Sequence, residues 1–115
     1  MIRSVLLCDT ADEISALHAV MLGAPDLFVD VSTAAVRAVE TAGRTHPDLV
    51  VCRLDMPGSG GMHLLMRLIE RSPDSRILVR LGVEDIGSAA SCLGAGAHGV
   101  IAIDDDPADV LAAIH

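Results

Sequence analysis

The chain has 115 residues and a formal net charge of −8, which predicts one acidic domain with a single hydrophobic core. Hydrophobic residues make up 51% of the sequence, yet there is no Trp or Tyr and one Phe, so Ala, Val, Leu, Ile and Met must form that core. The charge argues against direct binding of nucleic acid or anionic membranes, and because no apolar run approaches the roughly 20 residues that span a bilayer, we expect a cytoplasmic protein.

Short apolar runs alternate with amphipathic segments, a pattern typical of a parallel sheet with crossover helices. The predicted strands cover residues 4–8, 27–31, 49–54, 76–81 and 99–103. The predicted helices cover 12–21, 33–42, 61–71, 84–93 and 107 onwards, with Ser32 and Asp106 as N-caps and Gly43 as the end of the second helix. This alternation predicts an α/β fold, a flavodoxin-like (βα)5 doubly wound sandwich with a five-stranded parallel sheet in the order 2-1-3-4-5.

Ligands of such sheets bind beyond the carboxyl ends of the strands, where the strand order reverses between strands 1 and 3. Asp9 and Thr10 follow the first predicted strand at this point, and Arg53 stands near the end of the third. The cysteines Cys8, Cys52 and Cys92 lack zinc or redox spacing and are expected to be buried reduced thiols. The five histidines lack ligand spacing, and a solvated loop with an N-cap explains Asp104–Asp106, so we expect no metal and no cofactor.

Four segments resemble the receiver domain of bacterial two-component response regulators, and together they extend over essentially the whole chain. They are VLLCD (5–9), HPDLVVCRLDMPGSGGMHLL (46–65), SPDSRILVRLGVED (72–85) and GAGAHGVIAIDDDPADVLAAI (94–114). The last segment is similar to the NarL/LuxR-type branch. The resemblance implies phosphoryl transfer to an aspartate with the help of Mg²⁺. It also implies that residues 1–115 are one receiver-like domain and that a helix-turn-helix output domain is absent from this chain.

The residues at the family's reactive positions differ from those that the resemblance implies. Arg53 stands at the phosphoacceptor position, and Thr10 replaces the second member of an acidic pair of which Asp9 remains. Leu81 stands where the family has a hydroxyl residue, and Ile103 stands where it has a lysine. Val100 replaces the aromatic switch residue of strand 5, and Asp55 occupies the position whose main-chain carbonyl binds the metal. The resemblance therefore predicts an atypical pseudo-receiver with a degenerate phosphorylation pocket formed by Asp9, Thr10, Arg53, Asp55, Leu81 and Ile103.

Arg53 should lie beside Asp9 on the adjacent strand, where its charge repels Mg²⁺. We therefore expect a module that is not an enzyme and does not depend on phosphorylation. Asp55 is expected to point outward or to pair with Arg53 or Arg80, and an alternative phosphoacceptor role for Asp55 stays open. Arg80 is expected to extend towards Glu84, Asp85 or solvent, with ligand binding as the alternative.

The leading hypothesis is a regulatory module of an atypical orphan response regulator, which acts through protein–protein contacts to control an output, with transcription as the expected one. It would form a homodimer, or a heterodimer with a related receiver, through a face that includes Ile86, Ala90, Val100 and Val110. The alternative is a small-molecule-sensing pseudo-receiver that binds an anionic or amphipathic metabolite in a crevice over Arg53, Leu81 and Ile103. Enzymatic catalysis is disfavoured because no nucleophile with a neighbouring base converges on the switch point.

Overall fold

The computed structural model of the chain describes residues 2–24, 26–55 and 61–114. Within these residues, five strands are present: β1 (Ser4–Cys8), β2 (Phe28–Ser32), β3 (Leu49–Arg53), β4 (Arg76–Leu81) and β5 (Gly99–Ala102). The described α-helices are α1 (Ala11–Leu22), α2 (Ala35–Thr45), α3 (Met62–Arg71), α4 (Ala89–Ala95) and α5 (Pro107–Ile114). A short 3₁₀ helix, Val83–Ser88, precedes α4.

The strands form one parallel sheet in the order β2-β1-β3-β4-β5, which confirms the predicted fold and strand order. One face of the sheet packs against α1 and α5, and the other against α2, α3 and α4. Leu6 and Leu7, which are adjacent in β1, point to opposite faces and are both fully buried. The central strands are therefore mostly apolar, because helices cover both of their faces.

Two helices differ from their predicted boundaries. Ala34 is the N-cap of α2 in place of Ser32, whose hydroxyl donates to the Ala34 carbonyl, and the helix continues through Gly43 to Thr45. A glycine inside a helix costs only about 1 kcal/mol, which burial of the helix face offsets. His46 ends α2 in the left-handed conformation, with φ of 45°.

The predicted fourth helix is two elements, because the 3₁₀ helix holds the weak helix formers Gly87 and Ser88 and α-helical geometry begins only at Ala89. The predicted N-cap of α5 is confirmed, since the Asp106 carboxylate accepts the backbone N–H of Ala108 at 2.9 Å. In the part of the chain that the structure describes, no helix has the length and apolar character needed to cross a bilayer.

Candidate functional site at the carboxyl ends of the strands

Asp9, Arg53 and Arg80 meet at one edge of the sheet because each lies at or near the carboxyl end of a central strand. Asp9 follows β1, Arg53 ends β3, and Arg80 is the register partner of Arg53 on β4. The Asp9 carboxylate is fully buried, and Arg80 is 3% exposed. A buried carboxylate and a buried guanidinium are stable only when each is paired, so their partners determine what this edge of the sheet can do.

Both oxygens of the Asp9 carboxylate accept hydrogen bonds. Oδ1 accepts the backbone N–H of Thr10 at 2.7 Å and lies 3.5 Å from Nη1 of Arg53. Oδ2 accepts Nη1 of Arg80. The expected contact between Arg53 and Asp9 is therefore present, and a second guanidinium shares the same carboxylate.

The expectation that Arg80 extends to Glu84, Asp85 or solvent is wrong. Its Nη2 donates to the Ile103 carbonyl at 2.9 Å, so the side chain connects the ends of β1 and β4 to the residue that follows β5. Its Nε is buried and has no hydrogen-bond partner among the described residues. No local pattern in the sequence predicts this arrangement, because Asp9 lies 71 residues away from Arg80 along the chain.

Arg53 also forms an ion pair with Asp55, and Arg53 is one of the two arginines predicted to pair with that carboxylate. Nε of Arg53 donates to Oδ1 of Asp55, and Nη2 donates to Oδ2 at 3.2 Å, so the contact is bidentate. The hydrogen bond from Arg53 holds the pKa of Asp55 below its usual value, and the bond to Asp55 raises the pKa of Arg53. Arg53 therefore bridges the fully buried carboxylate of Asp9 and the exposed carboxylate of Asp55.

Beside this cluster lies an open crevice of about 280 Å³, lined by Arg53, Asp55, Gly82, Glu84, Asp85, Ile103 and Asp104. Ile103 is a half-buried wall of this crevice, as expected. Leu81 is not in the lining, because its side chain is 1% exposed and packs in the core beneath α2, α3 and α4. The described lining of the crevice therefore includes one guanidinium and four carboxylates. Its apolar wall is smaller than the sequence predicts, because Leu81 is not part of it.

The resemblance implies a magnesium ion, but the residues at this edge do not fit one. Mg²⁺ prefers about six oxygen ligands, and two guanidinium groups already contact the Asp9 carboxylate and would repel a divalent cation. Thr10, half-buried beside Asp9, offers no second carboxylate. Among the side chains that the structure describes, no group of three or more His, Cys, Asp or Glu is placed to hold a metal ion.

The residues proposed for a dimer face have different exposures. Ala90 is exposed on α4, and Val100 is half-buried against the core. Val110 is 2% exposed and packs in the core on the α1 side, so its assignment to a contact face is wrong. Leu111, the next residue of α5, is partly buried against the same cluster. The side chain of Ile86 and the Met56–Gly58 turn lie outside the described residues.

The three cysteines are buried and reduced, as expected. Cys8 and Cys52 are register partners on β1 and β3. Hydrogen bonding to Cys52 and burial raise the pKa of the Cys8 thiol, and burial raises the pKa of Cys92. Since the thiolate is the reactive form, these thiols are core residues and not nucleophiles.

Comparison with known proteins agrees with the fold and with the arrangement of its elements. Residues 5–115 match the family model of the response regulator receiver domain. Over 93 residues, the chain is 33% identical to the nitrate/nitrite response regulator protein NarL of Escherichia coli strain K12, which covers 80% of this chain and 43% of NarL. The chain thus spans less than half the length of this curated relative.

Two solved structures show the same architecture. A LuxR-family two-component response regulator from Aurantimonas sp. SI85-9A1 is 25% identical, with a TM-score of 0.85 over 99% of this chain and 83% of that one. A response regulator from Burkholderia pseudomallei, crystallised with a phosphorylated aspartic acid, a calcium ion and citrate, is 24% identical, with a TM-score of 0.83 over 98% of this chain and 66% of that one. This chain belongs to the response regulator receiver domain family, in its NarL/LuxR-type branch.

Proposed function

We propose that this chain is a phosphorylation-independent receiver module, which regulates an output through protein–protein contacts. The observation that carries the proposal is the state of the Asp9 carboxylate, whose two oxygens are both engaged by guanidinium groups of the same protein. The charge that a receiver of this family would direct at a metal ion is thereby neutralised within the fold. Arg53 and Arg80 together perform this neutralisation.

The residue types around Asp9 support the same proposal. The Burkholderia pseudomallei relative carries its phosphoryl group on an aspartic acid, whereas β3 of this chain ends at Arg53, and a guanidinium is not a phosphoryl acceptor of that kind. Leu81 and Ile103 offer no side-chain donor to a phosphoryl oxygen. We therefore propose that the chain has no phosphotransfer activity and is not an enzyme.

Incubation with acetyl phosphate and Mg²⁺, followed by intact mass spectrometry, tests this proposal. We expect no phosphoryl adduct, while a receiver with an aspartate at the end of its third strand, treated alongside, acquires one. A stable adduct on this chain would contradict the proposal.

The Asp55→Asn variant tests the remaining acceptor under the same conditions. Asp55 is the exposed carboxylate nearest the family's acceptor position, but its two oxygens are held by Arg53. We expect identical spectra without an adduct for the wild type and the variant. An adduct that disappears with Asp55→Asn would identify Asp55 as a relocated phosphoacceptor and overturn the proposal.

The output of the module is proposed from its family branch. Resemblance to NarL supports a role in transcription, exerted in the cytoplasm through a helix-turn-helix domain outside this chain. A homodimer, or a heterodimer with a related receiver, would position that output. Ala90 and Val100 remain available to such a contact, whereas the buried Val110 does not.

Small-molecule sensing in the crevice beside Arg53 is the second candidate function. Its volume of about 280 Å³ is near the lower end of the range for small-molecule sites. The crevice presents Asp55, Glu84, Asp85 and Asp104 around one guanidinium that is already paired, so an anionic metabolite is disfavoured. Thermal-shift measurements with matched anionic and cationic amphipathic compounds test this candidate, and stabilisation by the anionic set would favour the original sensing hypothesis.

A further inference from the structure

Charge is segregated along this chain. All eight basic residues are arginines, and residues 81–114 contain none of them. That segment carries six acidic residues, which are Glu84, Asp85, Asp104, Asp105, Asp106 and Asp109. Five exposed arginines lie instead on α2, on α3 and at the start of β4. They are Arg37, Arg44, Arg67, Arg71 and Arg76.

A groove between α2 and α3 combines this positive charge with an apolar floor. It encloses about 130 Å³ and is lined by Ala35, Val36, Val39, Glu40, His63, Leu64, Arg67 and Arg71. Its floor includes the buried Val39 and Leu64, and Val36, at its edge, is 60% exposed.

The α3 rim of this groove carries one histidine and two arginines in a row. His63, Arg67 and Arg71 follow one another at intervals of four residues, so they lie along one side of the helix. Within the described part of the chain, neither arginine has a carboxylate within 4.0 Å, although Glu40 lies across the groove on α2. The rim therefore presents uncompensated positive charge to whatever occupies the groove.

The acidic face, which we define by Glu84, Asp85, Asp104 and Asp109, is the complementary surface of the same molecule. Glu84, Asp85 and Asp104 surround one crevice, and Asp109 follows in the first turn of α5. If two copies paired through this face about a two-fold axis, carboxylates would meet carboxylates, and Arg53, the guanidinium that lines the same crevice, is already paired with Asp55. A symmetric contact centred on the acidic face is therefore disfavoured.

We propose that a second copy of this chain docks head to tail, with the acidic face of one copy against the α2–α3 groove of the next. This inference rests on the proposed function, because it names the partner and the contact through which the module would act. The contact is heterologous, so a pair keeps a free groove on one copy and a free acidic face on the other, and assembly can grow beyond a dimer. Since the complementary charges are exposed, association weakens as salt is added.

Charge-reversal variants analysed by sedimentation velocity test the head-to-tail contact. Arg67→Glu/Arg71→Glu reverses the groove, and Asp104→Arg/Asp109→Arg reverses the acidic face. The dissociation constant for self-association of each variant should be at least about tenfold higher than that of the wild type, because like charges then meet across the contact. An equimolar mixture should associate again, since each reversed surface meets its complement on the other variant.

The control is Arg37→Glu/Arg44→Glu, which makes the same change in net charge on exposed positions of α2 that do not line the groove. It should associate like the wild type. Circular dichroism checks that all variants are folded, and a variant that is not folded is replaced by the neutral substitutions Arg67→Gln/Arg71→Gln or Asp104→Asn/Asp109→Asn, which should weaken association in the same direction.

Three results would overturn the inference. They are a wild-type chain that stays monomeric at every concentration, a groove variant that associates like the wild type, and a mixture that fails to recover association. A groove variant that still associates while the acidic-face variant does not would place the partner of the acidic face outside the groove. None of these results depends on a phosphoryl adduct, so failure of this inference is distinguishable from failure of the proposed function.

Discussion

At the scale of single residues, the ion pair of Asp9 and Arg80 is the feature on which the site depends. Desolvation costs several kcal/mol per buried ion, and the pair is stable only because other groups satisfy it. Arg53 and the Thr10 N–H donate hydrogen bonds to the Asp9 carboxylate, and the Ile103 carbonyl accepts one from Arg80. The contacts made by the two guanidinium groups reach across strands, so the cluster also fixes the relative positions of the strand ends.

Arg80→Met should therefore destabilise the protein by about 3–5 kcal/mol, because it leaves the buried Asp9 carboxylate with one distant guanidinium. Arg53→Met should cost only about 1 kcal/mol, since Arg80 still pairs with Asp9 and the lost bond to Asp55 is at the surface. Urea unfolding measures both. The double variant Asp9→Leu/Arg80→Met should recover much of the loss, and equal costs for the two single variants would contradict the assignment.

Asp48 gives a pH-dependent contribution at the same scale. Its carboxylate accepts the backbone N–H groups of Arg3 at 2.9 Å and Ser4 at 3.1 Å, and these bonds lower the pKa of Asp48. A carboxyl whose pKa is lower in the folded state stabilises the protein above its unfolded pKa and loses this contribution as the pH falls through its folded pKa. The stability that Asp48 adds should therefore be complete at neutral pH, begin to decline below about pH 4 and be lost as the pH falls through the lower folded-state pKa.

The difference in unfolding free energy between the wild type and Asp48→Asn isolates this contribution from that of Asp55. We expect a positive difference near neutral pH that shrinks towards acid, measured by urea unfolding over a pH series. Curves that stay parallel down to the acid limit would show that the lowered pKa of Asp48 has no part in stability.

At the scale of elements, the packing of Leu78 of β4 against β5 uses the absence of a side chain at Gly99. Gly99 is the register partner of Leu78, and a Cβ at Gly99 would lie 2.7 Å from Cδ2 of that leucine. Gly94 of α4 is the opposite case, because a Cβ there would meet nothing within 4 Å. A side chain at position 99 would therefore displace Leu78, whereas position 94 has room for one.

Gly99→Ala should destabilise the protein by about 1–3 kcal/mol, since Leu78 has to leave its packed position. Gly94→Ala should stabilise it by about 0.5–1 kcal/mol, because alanine loses less backbone entropy in a helix. Thermal unfolding of both variants measures the two signs. A stabilising Gly99→Ala would show that Leu78 moves without cost and that the strands do not need glycine there.

At the scale of the whole molecule, the charge pattern determines which partners are favoured. The net charge of −8 opposes approach to a phosphate backbone, although five exposed arginines are concentrated around α2 and α3. We expect no binding of this domain to a fluorescently labelled DNA duplex at physiological salt, measured by anisotropy. Salt-sensitive binding that is lost in Arg67→Glu/Arg71→Glu would contradict this and would make the groove a nucleic-acid contact.

The sequence by itself determined the sheet, because apolar runs and amphipathic segments are local patterns that read directly as strands and helices. It also determined that a guanidinium, Arg53, ends the third strand beside Asp9. The tertiary structure decided the partner of Arg80, the burial of Leu81 and Val110, and the acidic lining of the crevice. Each of these depends on which residues are adjacent across strands or under a helix, and side chains 71 residues apart carry no local signal that they will meet.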